Sequence, residues 1–332
     1  MTAAHWAGVA ALLERRQVPI FLGALAFGVL MGWTAPDIVP TLEHAISPVL
    51  GALLYVTFLQ VPLRELTRSF RAGKFLAATL VANFIAVPLV LASTFWLLPD
   101  DHAVRLGVLL VLLTPCVDYV IVFSAMAGGS GQRLLAATPL LLIAQMLLLP
   151  LYLTLFLDGH STALIEPGPF VEAFLFLIAL PLTLAWATQI WATRKPAGYA
   201  FSLKTSSATV PLMAATLITV VASQVPALAG HLAKIAAVLP FYGAFLVVMA
   251  FVGLAVTRLF RLDVPDSGAV IFAGAARNSL VVLPFALALP ESFSVAVAVI
   301  VAQTLVEVIG MVIYIRAVPR LTGPRLIVKS KP

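Results

Sequence analysis

The chain has 332 residues, 62% hydrophobic and 10% charged, against roughly a quarter charged in an ordinary soluble domain. A mean hydropathy of +1.08 excludes one buried core in water, because a soluble domain must still cover its surface with polar side chains. The formal charge of +6 calls for no nucleic-acid partner, since the basic residues gather in alternate loops between apolar runs.

About 20 apolar residues make one bilayer crossing. Apolar runs between charged or Pro/Gly-rich breaks predict ten spans. Five lie near residues 18–34, 45–63, 74–97, 104–126 and 133–157, and five near 169–191, 201–223, 233–257, 267–289 and 292–316. The first follows Glu14, Arg15 and Arg16 and is read as a retained helix, since no convincing small-x-small cleavage site follows and nine further spans do. With the N-terminus inside, 17 of the 20 Lys and Arg residues fall on the cytoplasmic side, Arg105 and Lys234 fall outside, and Arg277 lies within a span. That asymmetry places both termini in the cytoplasm and the chain in the inner or plasma membrane. The expected architecture is all-α and polytopic, one membrane domain over residues 1–332 with a cytoplasmic tail at 317–332.

An odd number of spans per half inserts the second half upside down, so five plus five predicts two inverted repeats, about 18–157 and 169–316. Ile143-Ala144-Gln145 in the fifth span matches Val301-Ala302-Gln303 in the tenth, 158 residues on. The fourth span carries Thr114, Pro115 and Cys116 near its middle; the ninth carries Gly274, Arg277, Asn278, Ser279 and Pro284. Proline removes a backbone donor and clashes with the preceding turn. Broken helices at corresponding places in two halves point to a midplane binding site.

Three ionisable residues lie well inside spans: Asp118, Arg277 and Glu307. Each costs about 2.5–3.5 kcal/mol at bilayer depth unless paired or solvated. Pairing Arg277 with one carboxylate leaves the other available to take up and release a proton; either Glu307 or Asp118 can fill that role. Cys116, the one cysteine, is a small buried hydrophobe on the bland reading and a soft ligand for a thiophilic solute on the sharper one. An ideal helix points Cys116 and Asp118 about 200° apart, so both line one cavity only where Pro115 distorts the turn. Tyr119, Gln145, Asn278, Ser279 and Gln303 are candidate hydrogen-bonding residues of the same cavity, or interhelical packing contacts. The five histidines, His5, His44, His102, His160 and His231, fall in terminal or loop segments. A metal site or a thiol–imidazole dyad at membrane depth is therefore not expected, nor is an enzyme or a resident cofactor.

The order of Phe58-Leu-Gln-Val-Pro-Leu-Arg-Glu-Leu66, Asn83-Phe-Ile-Ala-Val-Pro88, Thr114-Pro-Cys116, Arg277-Asn-Ser279 and Thr304-Leu-Val-Glu-Val308 resembles the bile acid:sodium symporter superfamily. Within it, the chain is similar to the arsenite carriers. The resemblance implies a panel of spans one, two, six and seven against a core of three to five and eight to ten, with the fourth and ninth helices crossing. It also implies Cys116 as the contact for trivalent arsenic or antimony and Glu307 as the proton-coupling acid, which favours Glu307 over Asp118 for that role. Where sodium-coupled members place a Glu and a Gln, this chain has Ala273 and Arg277, which argues against that sodium site. Where many arsenite carriers show an Asn-Asn-Phe-Glu-like stretch, it has Arg277-Asn278-Ser279-Leu280. The expected function is arsenite export by proton antiport, in which Cys116, Asn278, Arg277, Ser279 and Tyr119 bind the substrate. The alternative is a sodium-independent organic-anion carrier with Arg277 as the anion-binding charge.

Overall fold

A computed structural model describes residues 12–13, 16–60, 73–116, 119–157, 175–229, 232–287 and 289–323. Helix α1 (Gln17–Thr34) is followed by a short 3-10 turn and α2 (Val39–Leu59). α2 starts six residues before the expected edge, because Pro36 and Pro40 preset helical φ and need no donor in a first turn. His44 thus lies on an exposed helical face, with Nδ1 2.6 Å from the Pro40 carbonyl oxygen, rather than in a loop.

The next rod is helical from Gly73 to Leu97: α3 (Gly73–Val81), a π turn at Ala82–Ala86, α4 (Val87–Thr94) and a 3-10 end. The π turn has a local cause. Pro88 brings no N–H to the Phe84 carbonyl four residues back, and the Val87 N–H bonds instead to Ala82 O, five residues back. The Tyr152 hydroxyl donates to the carbonyl left over at Phe84. A π bulge of this kind commonly marks a functional position, and here it presents Asn83 to the interior.

Helices α5 (His102–Leu112) and α6 (Tyr119–Met126) are two halves of an interrupted segment, followed by α7 (Gly131–Phe156), which bends by 52° where Pro139 sits. The second half contains α8 (Leu180–Arg194), α9 (Pro196–Ser206), α10 (Thr209–Ala229) and α11 (Leu232–Leu259), a second interrupted pair α12 (Val264–Ala275) and α13 (Ser279–Leu287), and the long α14 (Ser294–Thr322). The second interruption falls at residues 276–278; Gly274 stays in α12 and Pro284 in α13. Among the described residues, α2, the Gly73–Leu97 rod, α11 and α14 are each long and apolar enough to cross a membrane, and two bent pairs raise the number to six if each is one span. Phe27, Trp33, Leu89, Trp96, Leu147, Leu155, Val247, Phe251, Ile309 and Ile313 are exposed on the outside, as an apolar surface facing lipid requires.

Two groups of helices emerge from the packing. α10 lies on α1 and α2, and α2 on α8; α11 lies on α12 and α14, and α14 on α5, α6 and α13. Contact between the groups runs mainly through α10 with α14 and α2 with α13. Gly28 and Gly32 form a small-xxx-small face on α1 that brings its backbone against α10. A Cβ at Gly32 would stand 2.5 Å from the Ala222 carbonyl oxygen.

The first half of each interrupted pair is anchored at its outer end. Asp101 caps α5, accepting from Ala103 and Val104 N–H at 3.0 and 3.1 Å, and receives Lys234 Nζ at 2.6 Å. Asp263 caps α12 through Asp266 N–H at 2.9 Å, and Asp266 pairs with Arg133 at the start of α7. Charge and cap together fix where each half-helix begins.

Gly32→Val is expected to cost about 1–3 kcal/mol by overpacking, read as a lower thermal midpoint in detergent. Gly23→Ala, where nothing lies within 4 Å, should leave it unchanged. The Lys234 ammonium, more than the opposing effect of partial burial, holds the Asp101 carboxyl below its ordinary value, aided by the Val104 and Ala103 N–H groups. A depressed folded pKa gives stability that is present above the unfolded value and lost as pH falls through the folded one. The midpoint gap between the natural protein and Asp101→Asn, worth about 0.5–1 kcal/mol near neutrality, should therefore close below about pH 4.

Candidate functional site

The two interruptions meet. Leu113 caps the end of α5, Ala276 leaves α12 with extended backbone (φ −76°, ψ 135°), and the freed strands pair antiparallel through Pro115 and Arg277. Cys116 N–H donates to Ala276 O at 3.1 Å, and Asn278 N–H donates to Thr114 O at 2.8 Å. Unwound backbone inside a membrane protein must satisfy its polar groups from protein or water, and here each break satisfies the other.

Glu307 of α14 reaches this junction fully buried. Its Oε1 accepts from the Tyr119 hydroxyl, and its Oε2 accepts from Gln303 Nε2 and, at 2.8 Å, from the main-chain N–H of Arg277. Of the two carboxylates that the sequence left open as ion-pair partners of Arg277, Glu307 makes no side-chain pair with it. The Arg277 guanidinium turns the other way: Nη1 donates to Leu112 O at 3.2 Å, and Nη2 to Asn83 Oδ1 at 2.7 Å, Ala273 O at 2.8 Å and Gly274 O at 2.6 Å. The Phe245 ring stands 5.9 Å from its Cζ. Leu112 is the last residue of α5, and Ala273 and Gly274 are in the last turn of α12, so the guanidinium collects carbonyls that a helix end leaves over.

All the expected site residues but one lie within the described chain. Cys116 is fully buried within the paired segment. Tyr119 is the first residue of α6. Asn278 caps α13, its Oδ1 accepting from Val281 N–H at 3.2 Å while its Nδ2 has no partner. Ser279 Oγ accepts from the Thr304 hydroxyl at 2.7 Å. Gln303 bonds Glu307 through its nitrogen and leaves its oxygen unpartnered; Gln145 on α7 is buried with neither amide atom bonded. Asp118 lies outside the described residues.

Between the two helix groups lies a cavity of about 90 Å³ lined by Phe21, Leu53, Thr57, Tyr119, Thr209 and Met213 among others. Pockets for drug-sized ligands run to roughly 300–1,000 Å³. The Thr57 hydroxyl on its wall is buried without a partner, and Tyr119 is shared between this wall and Glu307. No group of three His, Cys, Asp or Glu able to hold a metal ion occurs among the described residues.

Asn83, Thr57 and Thr304 had no role legible in the sequence. A polar residue inside an apolar run, five before a proline, was the available signal for Asn83.

Residues 47–233 match the family described as Sodium Bile acid symporter family, more than half of the chain. The chain belongs to that family. Its members are transporters, so the sodium bile acid symporter relationship and the apolar helices together make this a membrane transport protein. No curated protein matches the chain at a significant level.

Asn83→Leu removes the side-chain acceptor of the Arg277 guanidinium and leaves a buried charged donor short of one bond. The expected cost is about 1–3 kcal/mol, measured as a fall in thermal midpoint of the purified protein.

Proposed function

We propose that this transporter exports trivalent arsenic, and by the same chemistry antimony, in exchange for protons. The chain then crosses an inner or plasma membrane ten times as two inverted five-helix repeats, with both termini cytoplasmic and the α5/α6 and α12/α13 pairs as its broken fourth and ninth spans. One observation carries this reading. Cys116 N–H and Glu307 are tied to consecutive residues, Ala276 through its carbonyl and Arg277 through its N–H. A change at the thiol therefore reaches the carboxylate through one peptide unit.

The chemistry is balanced and reversible. Neutral trivalent arsenic hydroxide exchanges one hydroxide for the Cys116 sulfur, and the thiol proton leaves with that hydroxide as water; water reverses the step on the far side. One thiol binds weakly enough to release the solute. Glu307 takes up a proton when the site faces outward and gives it up inward, with the Tyr119 hydroxyl as its contact with the cavity wall. Asn278 and Ser279 set the second break, Gln145 and Gln303 supply further polar lining, and Asp118 is a second candidate for proton coupling. No cofactor is required. The small cavity supports a compact solute. An organic anion held by Arg277 is less well supported, since Nε is the one guanidinium nitrogen without a partner.

Arsenite uptake into everted vesicles, with and without an imposed proton gradient, tests the reading. The natural protein should show gradient-driven uptake, Cys116→Ala should lose most of it, and Glu307→Gln should lose its dependence on the gradient. Full uptake by Cys116→Ala would refute the thiol's role, and no uptake above empty vesicles would refute arsenite as substrate.

A further inference from the structure

The contacts of Arg277 describe a cation site more than a substrate site. Its guanidinium is fully buried, and the four oxygens it bonds are three main-chain carbonyls and one amide oxygen, none of them a carboxylate. Three belong to the C-terminal ends of the half-helices α5 and α12. Each helix C-terminus carries about −0.5 elementary charge, so two such ends meeting at one point call for roughly one positive charge. In broken-helix transporters, half-helix C-termini and unwound carbonyls are the places where a small coupling cation is coordinated.

We propose that Arg277 is a tethered cation: its guanidinium permanently fills a monovalent-cation site formed by Leu112, Ala273, Gly274 and Asn83, and truncating it creates a protein that needs a soluble cation in its place. A fixed charge does not dissociate, so the sodium gradient has no handle on this crossing, and the core retains its paired form at every stage of transport. The same arrangement leaves Glu307 free of a side-chain ion pair, and so able to change its charge without breaking one. The inference rests on the broken-helix transport reading and not on arsenite as the substrate.

The test is a thermal midpoint, taken without substrate, on the purified full-length protein in choline, sodium and millimolar guanidinium chloride at equal ionic strength. The natural protein should melt alike in all three. Arg277→Ala should melt lower in choline and recover by about 5 °C or more, saturably, in sodium or guanidinium; Arg277→Lys, with a charge but no fork, should lie between and respond less. If Arg277→Ala cannot be purified, Arg277→Gln takes its place. A variant that is equally unstable in every salt overturns the proposal. So does a saturable sodium effect on the natural protein, or a sodium requirement for its transport, since either places a free cation at a site that the guanidinium is said to fill. An arsenite-uptake failure in the vesicle experiment leaves these midpoints unaffected, so the two readings fail separately.

Discussion

Everything at the centre of this protein depends on an antiparallel pair of main-chain hydrogen bonds between two broken helices. Breaking a helix in lipid strands N–H and C=O groups that no water can satisfy, at several kcal/mol each. The bonds from Cys116 to Ala276 and from Asn278 to Thr114 remove that cost from both breaks together. Neither break is satisfied without the other, so the crossing behaves as one unit, and side chains attached to it are positioned by backbone rather than by flexible stems.

Crossing two interrupted helices also gathers their poles. The C-terminal ends of α5 and α12 converge on the Arg277 guanidinium, and the N-terminal ends of α6 and α13 lie beside Glu307, whose donors are Tyr119 at the start of α6 and the N–H of Arg277, two residues before α13. A positive side chain sits on negative poles and a negative one near positive poles. This is why the two charges are stable in the same interior without touching. Charge-assisted bonds contribute about 1.5–3 kcal/mol each, so the three that Glu307 accepts offset part of the cost of burying a carboxylate at this depth.

The sequence made the breaks legible because proline and intramembrane charge are strong local signals: Pro115 and Arg277 stand opposite each other in the bridge. It also pointed to Glu307, Tyr119 and Gln303, which the fold joins. It left open which carboxylate pairs with Arg277, because composition records charge and not direction, and only the geometry of the helix ends turns the guanidinium away from Glu307. Asn83 and the cavity wall were illegible for a different reason. Their roles depend on which helices pack together across more than a hundred residues, as between Asn83 and Arg277 or, on the cavity wall, between Gln60 and Thr209.

The two halves are not chemically equivalent, and the cause lies in one residue. At the second break the residue in the bridge is Arg277, whose N–H is free to serve a carboxylate; at the first it is Pro115, which has none. The helices that follow diverge accordingly. Four residues after Gln303 stands Glu307, whereas four residues after the matching Gln145 stands Leu149, buried among apolar side chains. Gln303 therefore has an acid to bond, and Gln145 is left with a buried amide that no described residue satisfies. An acid at the first break would meet a proline nitrogen with no hydrogen to give. One half of the crossing is thus fitted to hold a carboxylate, while the other carries the buried Cys116.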